Sequence, residues 1–264
     1  MKKILRKIIN RFGYDIVKFS TGSEKFSIKS DVDLLNLYDT PTGKYYLPAG
    51  IKKDVVANTI KNGFYFEQEI IDIAKHYIKK GSTVLDVGAN FGQMSILFSK
   101  LVEGAGKVYS FEAEPTINGI LRKNININNC SNVEIISGAV YNENGKKIVF
   151  PEPDFKRFDS YGSYGVDPNA DSGRTVETLT IDSLNINTPI SFMKVDIQGS
   201  DLFALQGAVK TVQKHKMPIL FEFEEQFQQE FKTSFNDYAE FIRGINYHFA
   251  SVTNGINFLI LPND

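Results

Sequence analysis

The chain has 264 residues, enough to bury one sizeable core with extra segments at its edge but not obviously two full domains. Lysine and arginine total 30 against 31 aspartates and glutamates, so a net charge of -1 offers no strongly basic surface and argues against nucleic acid as a partner. Cys130 is the only cysteine, which excludes an intrachain disulfide and any cysteine-rich metal site, and no apolar run reaches the roughly 18 to 20 residues of a membrane span, so a cytoplasmic product is expected.

Residues 1–12 set Lys2, Lys3, Arg6, Lys7 and Arg11 among Ile4, Leu5, Ile8, Ile9 and Phe12 at helical spacing. Two readings stand: the apolar stripe packs on its own domain, or it makes peripheral contact with the inner surface of an anionic membrane. Residues 13–62 give mixed signals, with a short strand at Tyr45-Tyr46-Leu47-Pro48, so residues 1–60 read as an N-terminal helix and accessory segment and residues 61–264 as the main domain.

From there apolar runs alternate with helical stretches. A helix over 66–80 leads into a strand over 84–87, followed by helix 93–101, strand 107–111, helix 115–126, strand 133–137, strand 190–195, helix 201–213, strand 219–223 and helix 231–242. That rhythm predicts an α/β fold, an open and mostly parallel sheet with helices on both faces. The runs 247–252 and 256–261 flank Asn254-Gly255 and predict an antiparallel terminal hairpin. Between the strands 133–137 and 190–195, residues 151–173 are rich in Pro, Asp, Ser, Tyr and Gly and read as a long loop over the active face, where Tyr161 and Tyr164 are candidates to stack on a substrate or to pack the loop.

The chemistry concentrates where the first strands end. Thr83-Val84-Leu85-Asp86-Val87-Gly88-Ala89-Asn90-Phe91-Gly92 is a strand closing in an acidic, glycine-rich turn, and Val108-Tyr109-Ser110-Phe111-Glu112 is a second strand ending in a carboxylate. Small residues let a nucleoside-containing cofactor approach the backbone, and a carboxylate accepts its ribose hydroxyls. The middle glycine of a dinucleotide fingerprint is replaced by Asn90, and Asp86 precedes the turn, so a pyrophosphate is poorly matched. A cofactor with a cationic amino-acid end suits Asp86, Gly88 and Asn90 better. Glu112 sits at the strand end and is preferred over Glu114 for the ribose.

The pieces VLDVGANFG at 84–92, VYSFEAEP at 108–115, LRKNININN at 121–129, TLTIDSL at 178–184, MKVDIQGSDLFALQGA at 193–208 and PILFEFE at 218–224, with Phe66-Glu67 before them, resemble the FkbM-type family of S-adenosylmethionine-dependent methyltransferases. The resemblance implies a class I methyltransferase (Rossmann-like) fold, with a seven-stranded mostly parallel sheet of order 3-2-1-4-5-7-6. It implies S-adenosyl-L-methionine as cofactor, held by Asp86, Gly88, Asn90, Gly92 and Glu112, with Ala139 near the adenine. It also implies a hydroxyl of a sugar, glycan precursor or related metabolite as acceptor, as in polysaccharide biosynthesis.

In the block after the fourth strand, alternation puts Lys194 and Asp196 on one side, with Asp196 at the carboxyl end of the sheet, where open α/β folds bind their reactants. Asp196 is the leading catalytic candidate, as base or orienting group; Lys194 either completes a salt bridge or contacts substrate. Glu222 ends the fifth strand and faces the same cleft, whereas Glu224 and Glu225 read as solvated charge. The commoner family form has Glu at the positions of Gln198 and Asp201; Gln198 can neither take a proton nor charge a metal site, so no obligatory metal is expected. His76, His215 and His248 lack ligand spacing. Two rivals are a nicotinamide-dependent oxidoreductase and a non-catalytic module of a membrane-associated glycan assembly complex.

Overall fold

Thr83–Val87 is buried at every position, which places it at the centre of a sheet covered on both faces. A computed structural model of the chain describes residues 15–18, 26–29, 34–49, 53–152 and 160–263, the first two spans as backbone only. The amphipathic stretch 1–12 lies outside the described residues.

In chain order the strands are β1 (Asp15–Lys18), β2 (Phe26–Lys29), β3 (Leu35–Thr40), β4 (Gly43–Pro48), β5 (Thr83–Val87), β6 (Lys107–Glu112), β7 (Val133–Ser137), β8 (Ala139–Val140), β9 (Lys147–Phe150), β10 (Arg174–Leu179), β11 (Ile190–Val195), β12 (Ile219–Glu222), β13 (Tyr247–Thr253) and β14 (Asn257–Pro262). The helices are α1 (Val55–Lys61), α2 (Gln68–Tyr77), α3 (Gln93–Val102), α4 (Pro115–Ile127), α5 (Asp201–Gln206), α6 (Val209–His215), α7 (Glu225–Phe231) and α8 (Phe235–Gly244).

The main sheet runs β13-β14-β12-β11-β5-β6-β7, parallel from β7 through β12, with β14 antiparallel to both its neighbours. In order of use this is 3-2-1-4-5-7-6, the class I methyltransferase sheet with its antiparallel terminal hairpin. Asn254 and Gly255, both left-handed, make the hairpin turn. Leu85, Val87, Met193, Val195 and Phe221 pack under α5, α6 and α8, while Val84, Val108, Phe192 and Leu220 pack against α2 and α3. A smaller sheet of order β8-β10-β9 stands beside the carboxyl ends.

Two helices differ from expectation. The stretch 201–213 is two helices, because the Gly207 carbonyl accepts from the Asp182 N–H at 3.0 Å while the Asp182 carboxylate takes the N–H groups of Lys210 and Thr211 at 3.0 and 2.8 Å, starting a new helix. Gly207 also abuts β8: a Cβ there would lie 2.0 Å from the Tyr141 carbonyl oxygen. The helix expected over 231–242 starts late, at Phe235, because left-handed Lys232 closes a separate helix, α7, and a capping box of Ser234 and Asp237 opens α8.

Before the first strand of the main sheet lie a hairpin, β3–β4, whose second strand contains the one expected at Tyr45-Tyr46-Leu47-Pro48, and helix α1; the mixed residue pattern shows neither β3 nor α1. Tyr45 and Leu47 of β4 are fully buried against Ile60, Phe91 and Leu121. The outer edge of β4 is satisfied by asparagines one turn apart at the end of α4, Asn124 in its last turns and Asn128 at its C-cap: Asn124 exchanges hydrogen bonds with the Tyr46 N–H and C=O at 2.6 and 3.2 Å, and Asn128 does the same with Lys44 at 2.9 and 2.6 Å. The side chains of α4 thus continue the ladder and hold the segment beside the site.

Candidate functional site

The turn after β5 alternates left-handed residues, Gly88 (φ +85°), Asn90 (φ +49°) and Gly92 (φ +88°), and this coil folds the chain back on the sheet edge. The N–H groups of Gly88 and Ala89 both donate to the Phe111 carbonyl, at 3.0 and 2.9 Å, and the Asp196 N–H donates to the Val87 carbonyl at 3.0 Å. The ends of β5, β6 and β11 are therefore stitched together by backbone. Gly88 is dictated by that closeness, since a Cβ would sit 1.8 Å from the Asp196 carbonyl oxygen.

Above these ends lies a cavity of about 330 Å³, within the range of small-molecule and cofactor sites. Gly88, Asn90, Glu112, Ala139, Asp196 and Glu222 all line it, so strand ends far apart in sequence converge as expected. Glu112 Oε2 accepts the Asn90 N–H and Oε1 the Glu114 N–H, each at 2.9 Å, which ties the carboxylate to both loops; burial pushes its carboxyl up to about 7. Glu114 also lines the cavity, but both its oxygens are engaged: Oε2 caps α4 through the Ile117 N–H at 2.7 Å and Oε1 pairs with Arg174.

Asp86 and Gly92 are not among the cavity-lining residues. Asp86 is fully buried beneath the wall, where its Oδ2 accepts the Ser95 hydroxyl at 2.5 Å and Ser95 in turn receives Ser110 at 2.7 Å. Its pKa is raised by burial, against the pull of Lys194 and Ser95. Gly92 instead opens α3 against α4, where a Cβ would meet Leu121 Cδ1 at 2.6 Å.

At the other end, Lys194, 3 % exposed, places Nζ 2.8 Å from Asp196 Oδ2. Burial alone would raise the Asp196 carboxyl, but the Lys194 ammonium outweighs it and holds it below the ordinary carboxylate range. Burial works against the lysine's charge, yet Asp196, Asp86 and Glu67 together raise its pKa, so it stays an ammonium. Gln198, in a left-handed conformation (φ +54°), donates both hydrogens of its amide, to Asp196 Oδ1 at 3.1 Å and Glu222 Oε2 at 2.8 Å. Glu222 is raised well above its ordinary value, by burial first and then by Asp196 and Asp201. Asp201 lies behind this network, taking the N–H groups of Ile197 and Gly199 at 3.3 and 3.1 Å, so it fixes the loop that carries Gln198.

Of the described part of the long loop, residues 160–166 line the cavity, Tyr161 and Tyr164 included, and Tyr161 meets Phe91 edge-on at 6.3 Å. Asp54 latches it to α1 by capping that helix through the Ala57 N–H at 2.6 Å while accepting from the Tyr161 N–H at 2.8 Å and Ser160 Oγ at 3.2 Å. The latch carried no signal in the sequence, because the loop partners of Asp54, Ser160 and Tyr161, lie about a hundred residues away. Glu224 also reaches the cavity rim, contrary to its reading as solvated charge, whereas Glu225 is exposed. The histidines stay off the cavity: His215 bonds the Ile186 carbonyl at 3.1 Å and His248 bonds Asn263 at 2.8 Å.

These residues fit S-adenosylmethionine by their chemistry. A carboxylate for diol hydroxyls stands beside the apolar surfaces of Ala139, Val140 and Phe150, and the buried Asn90 Oδ1 has no hydrogen-bond partner among the described residues.

The Methyltransferase FkbM domain matches residues 86–249. The chain is 37 % identical over 81 residues to the probable ribosomal RNA small subunit methyltransferase A of Thermococcus sibiricus, covering 31 % of this chain and 26 % of that protein. It is 35 % identical over 72 residues to the probable cobalt-precorrin-6B C(15)-methyltransferase (decarboxylating) of Sulfolobus acidocaldarius, covering 27 % of this chain and 38 % of that one. Both matches thus span well under half of the relative's length. The crystal structure of methyltransferase FkbM from Methylobacillus flagellatus KT aligns over 68 % of this chain and 42 % of that chain, with a TM-score of 0.44 and 18 % identity. The domain match extends over more than half of the chain, from the end of β5 to the terminal hairpin, and the chain belongs to the FkbM methyltransferase family.

Proposed function

We propose that the protein transfers a methyl group from S-adenosylmethionine to a hydroxyl oxygen of a sugar, glycan precursor or related metabolite. The observation that carries this reading is one cavity bounded at one end by Glu112 and at the other by the Lys194–Asp196–Gln198–Glu222 network. Glu112 would hold the ribose hydroxyls, Ala139 and its apolar neighbours the adenine, and the backbone around Gly88 and Asn90 the amino-acid portion. When bound, the cofactor supplies an electrophilic methyl group on a sulfonium.

The protein's own part is alignment, exclusion of water and removal of one proton. Asp196, kept ionised by Lys194, is a weak base and a good hydrogen-bond acceptor, so it orients the acceptor hydroxyl. Glu222 is the stronger base: Gln198 holds Oε2, and Oε1 takes the hydroxyl proton. Lys194 stays charged and takes no proton from the acceptor. Tyr161 and Tyr164 roof the cavity and shield the transfer from water.

The test is transfer of labelled methyl from S-adenosylmethionine to a panel of glycosides and polyols across pH. Because Glu222 must ionise to act, the wild-type rate rises with pH above the ordinary carboxylate range. Glu222→Gln lowers the rate about 10²- to 10⁴-fold and flattens the profile. A Glu222→Gln variant with an unchanged rate and profile would remove the residue from this role.

A further inference from the structure

The α-ammonium group of the amino-acid portion needs a carboxylate, and the acidic residue of the β5 turn is enclosed. Resting on the cofactor reading above, we propose that Glu67, rather than Asp86, receives that ammonium.

Asp86 is 0 % exposed and is not among the cavity-lining residues. One of its oxygens is committed to Ser95; the other is buried without a hydrogen bond among the described residues, and the nearby Lys194 ammonium supplies the compensating charge. Asp196 is on the wall, but its charge is already paired with the Lys194 ammonium through Oδ2, while Oδ1 takes the Gln198 amide.

Glu67 is on the wall and available. It occupies the N-cap of α2 in a left-handed conformation (φ 57°, ψ 68°) and makes no capping bond to its own helix. A side chain that ordinarily would satisfy the helix end is turned to the cavity instead, in a backbone state that non-glycine residues adopt at a cost. Asn257 Nδ2 fixes Oε1 at 3.0 Å, and no hydrogen bond from the described residues reaches Oε2.

The segment before Glu67 is clamped to the cofactor loop. Gln93, the residue directly after Gly92, accepts the Phe66 N–H at 2.8 Å through Oε1 and donates to the Phe64 carbonyl at 2.9 Å through Nε2. Glu67 is thereby held in register with the Gly88–Gly92 turn, although the two are separated by helix α2 and strand β5. Burial and then Asp196 raise the Glu67 carboxyl despite the pull of Lys194, so a further cation beside it offsets a cost that Lys194 leaves unmet.

Calorimetry with S-adenosylhomocysteine and its desamino analogue, which keeps the carboxylate and lacks the amine, isolates the ammonium contact. Wild type should prefer S-adenosylhomocysteine about 10- to 100-fold, the worth of one hydrogen bond between charged groups. Glu67→Gln should bind the two ligands alike, while Asp86→Asn keeps the preference. Glu67→Asp, one methylene short but still charged, should keep part of it and carries the test if Glu67→Gln does not fold. A full preference retained in Glu67→Gln, or one lost only in Asp86→Asn, overturns the assignment while leaving the cofactor reading intact. Wild type that binds neither ligand overturns both.

Discussion

Gly88→Ala and Gly81→Ala add the same methyl group to two left-handed positions, φ +85° and +75°, that differ in their surroundings. Both pay the steric cost of a side chain in that region, about 1 to 2 kcal/mol. At Gly81 nothing lies within 4 Å of the new Cβ, so the cost ends there. At Gly88 the Cβ would stand 1.8 Å from the Asp196 carbonyl oxygen, and the two strand ends must part by roughly 1.5 Å to restore van der Waals contact. That movement breaks the hydrogen bond from the Asp196 N–H to the Val87 carbonyl and disturbs the ion pair with Lys194. The sum is about 3 to 5 kcal/mol for Gly88→Ala against about 1 to 2 kcal/mol for Gly81→Ala. Urea unfolding of both variants measures the difference, with the slope checked for two-state behaviour. Equal costs within about 0.5 kcal/mol would refute the close approach of β5 and β11 on which the site's geometry depends.

Asp54→Ala removes an α1 cap and the latch on the Tyr161 loop together, and should cost about 2 kcal/mol in urea unfolding and speed proteolysis near Tyr161. A loss below about 0.5 kcal/mol with unchanged cleavage would mean that the latch bears no load. Burial raises the Asp201 carboxyl from 3.8 to about 7, so its neutral form favours folding and the stability it brings is present near pH 4 and lost as pH rises through about 7. Asp201→Asn should therefore lessen the fall of unfolding free energy between about pH 4.5 and 6.5 by about 1.4 kcal/mol per pH unit, although one backbone hydrogen bond is lost. An unaltered slope in urea titrations at several pH values would remove Asp201 from that linkage.

The central sheet was legible because β5, β6, β11 and β12 are near-continuous apolar runs, each bounded by a turn or a helical stretch. The Asn254-Gly255 hairpin was legible from its turn chemistry. Local signals failed where one segment is completed by another. Hairpin β3–β4 depends on Asn124 and Asn128 to finish its edge, and the break at Gly207 depends on Asp182 and Tyr141. Among the site residues, Gly88, Asn90, Glu112, Ala139, Lys194, Asp196 and Glu222 meet at one cavity, as their positions at strand ends predict. Asp86 carries the same sequence signal, yet it sits one layer deeper. Strand alternation alone does not distinguish a side chain beneath the wall from one on it when every position of β5 is buried. Glu67 shows the converse: its side chain reaches the cavity through a left-handed N-cap that no periodicity announces.

The central claim, that Glu112 and the loops around it hold S-adenosylmethionine, is tested most directly by calorimetry of S-adenosylhomocysteine with wild type and Glu112→Ala, with NADH as the contrasting ligand. The account predicts binding near the micromolar range by wild type, a loss of about tenfold or more in Glu112→Ala, and no binding of NADH. Folded wild-type protein that binds NADH, or that binds S-adenosylhomocysteine no better than Glu112→Ala does, would contradict it.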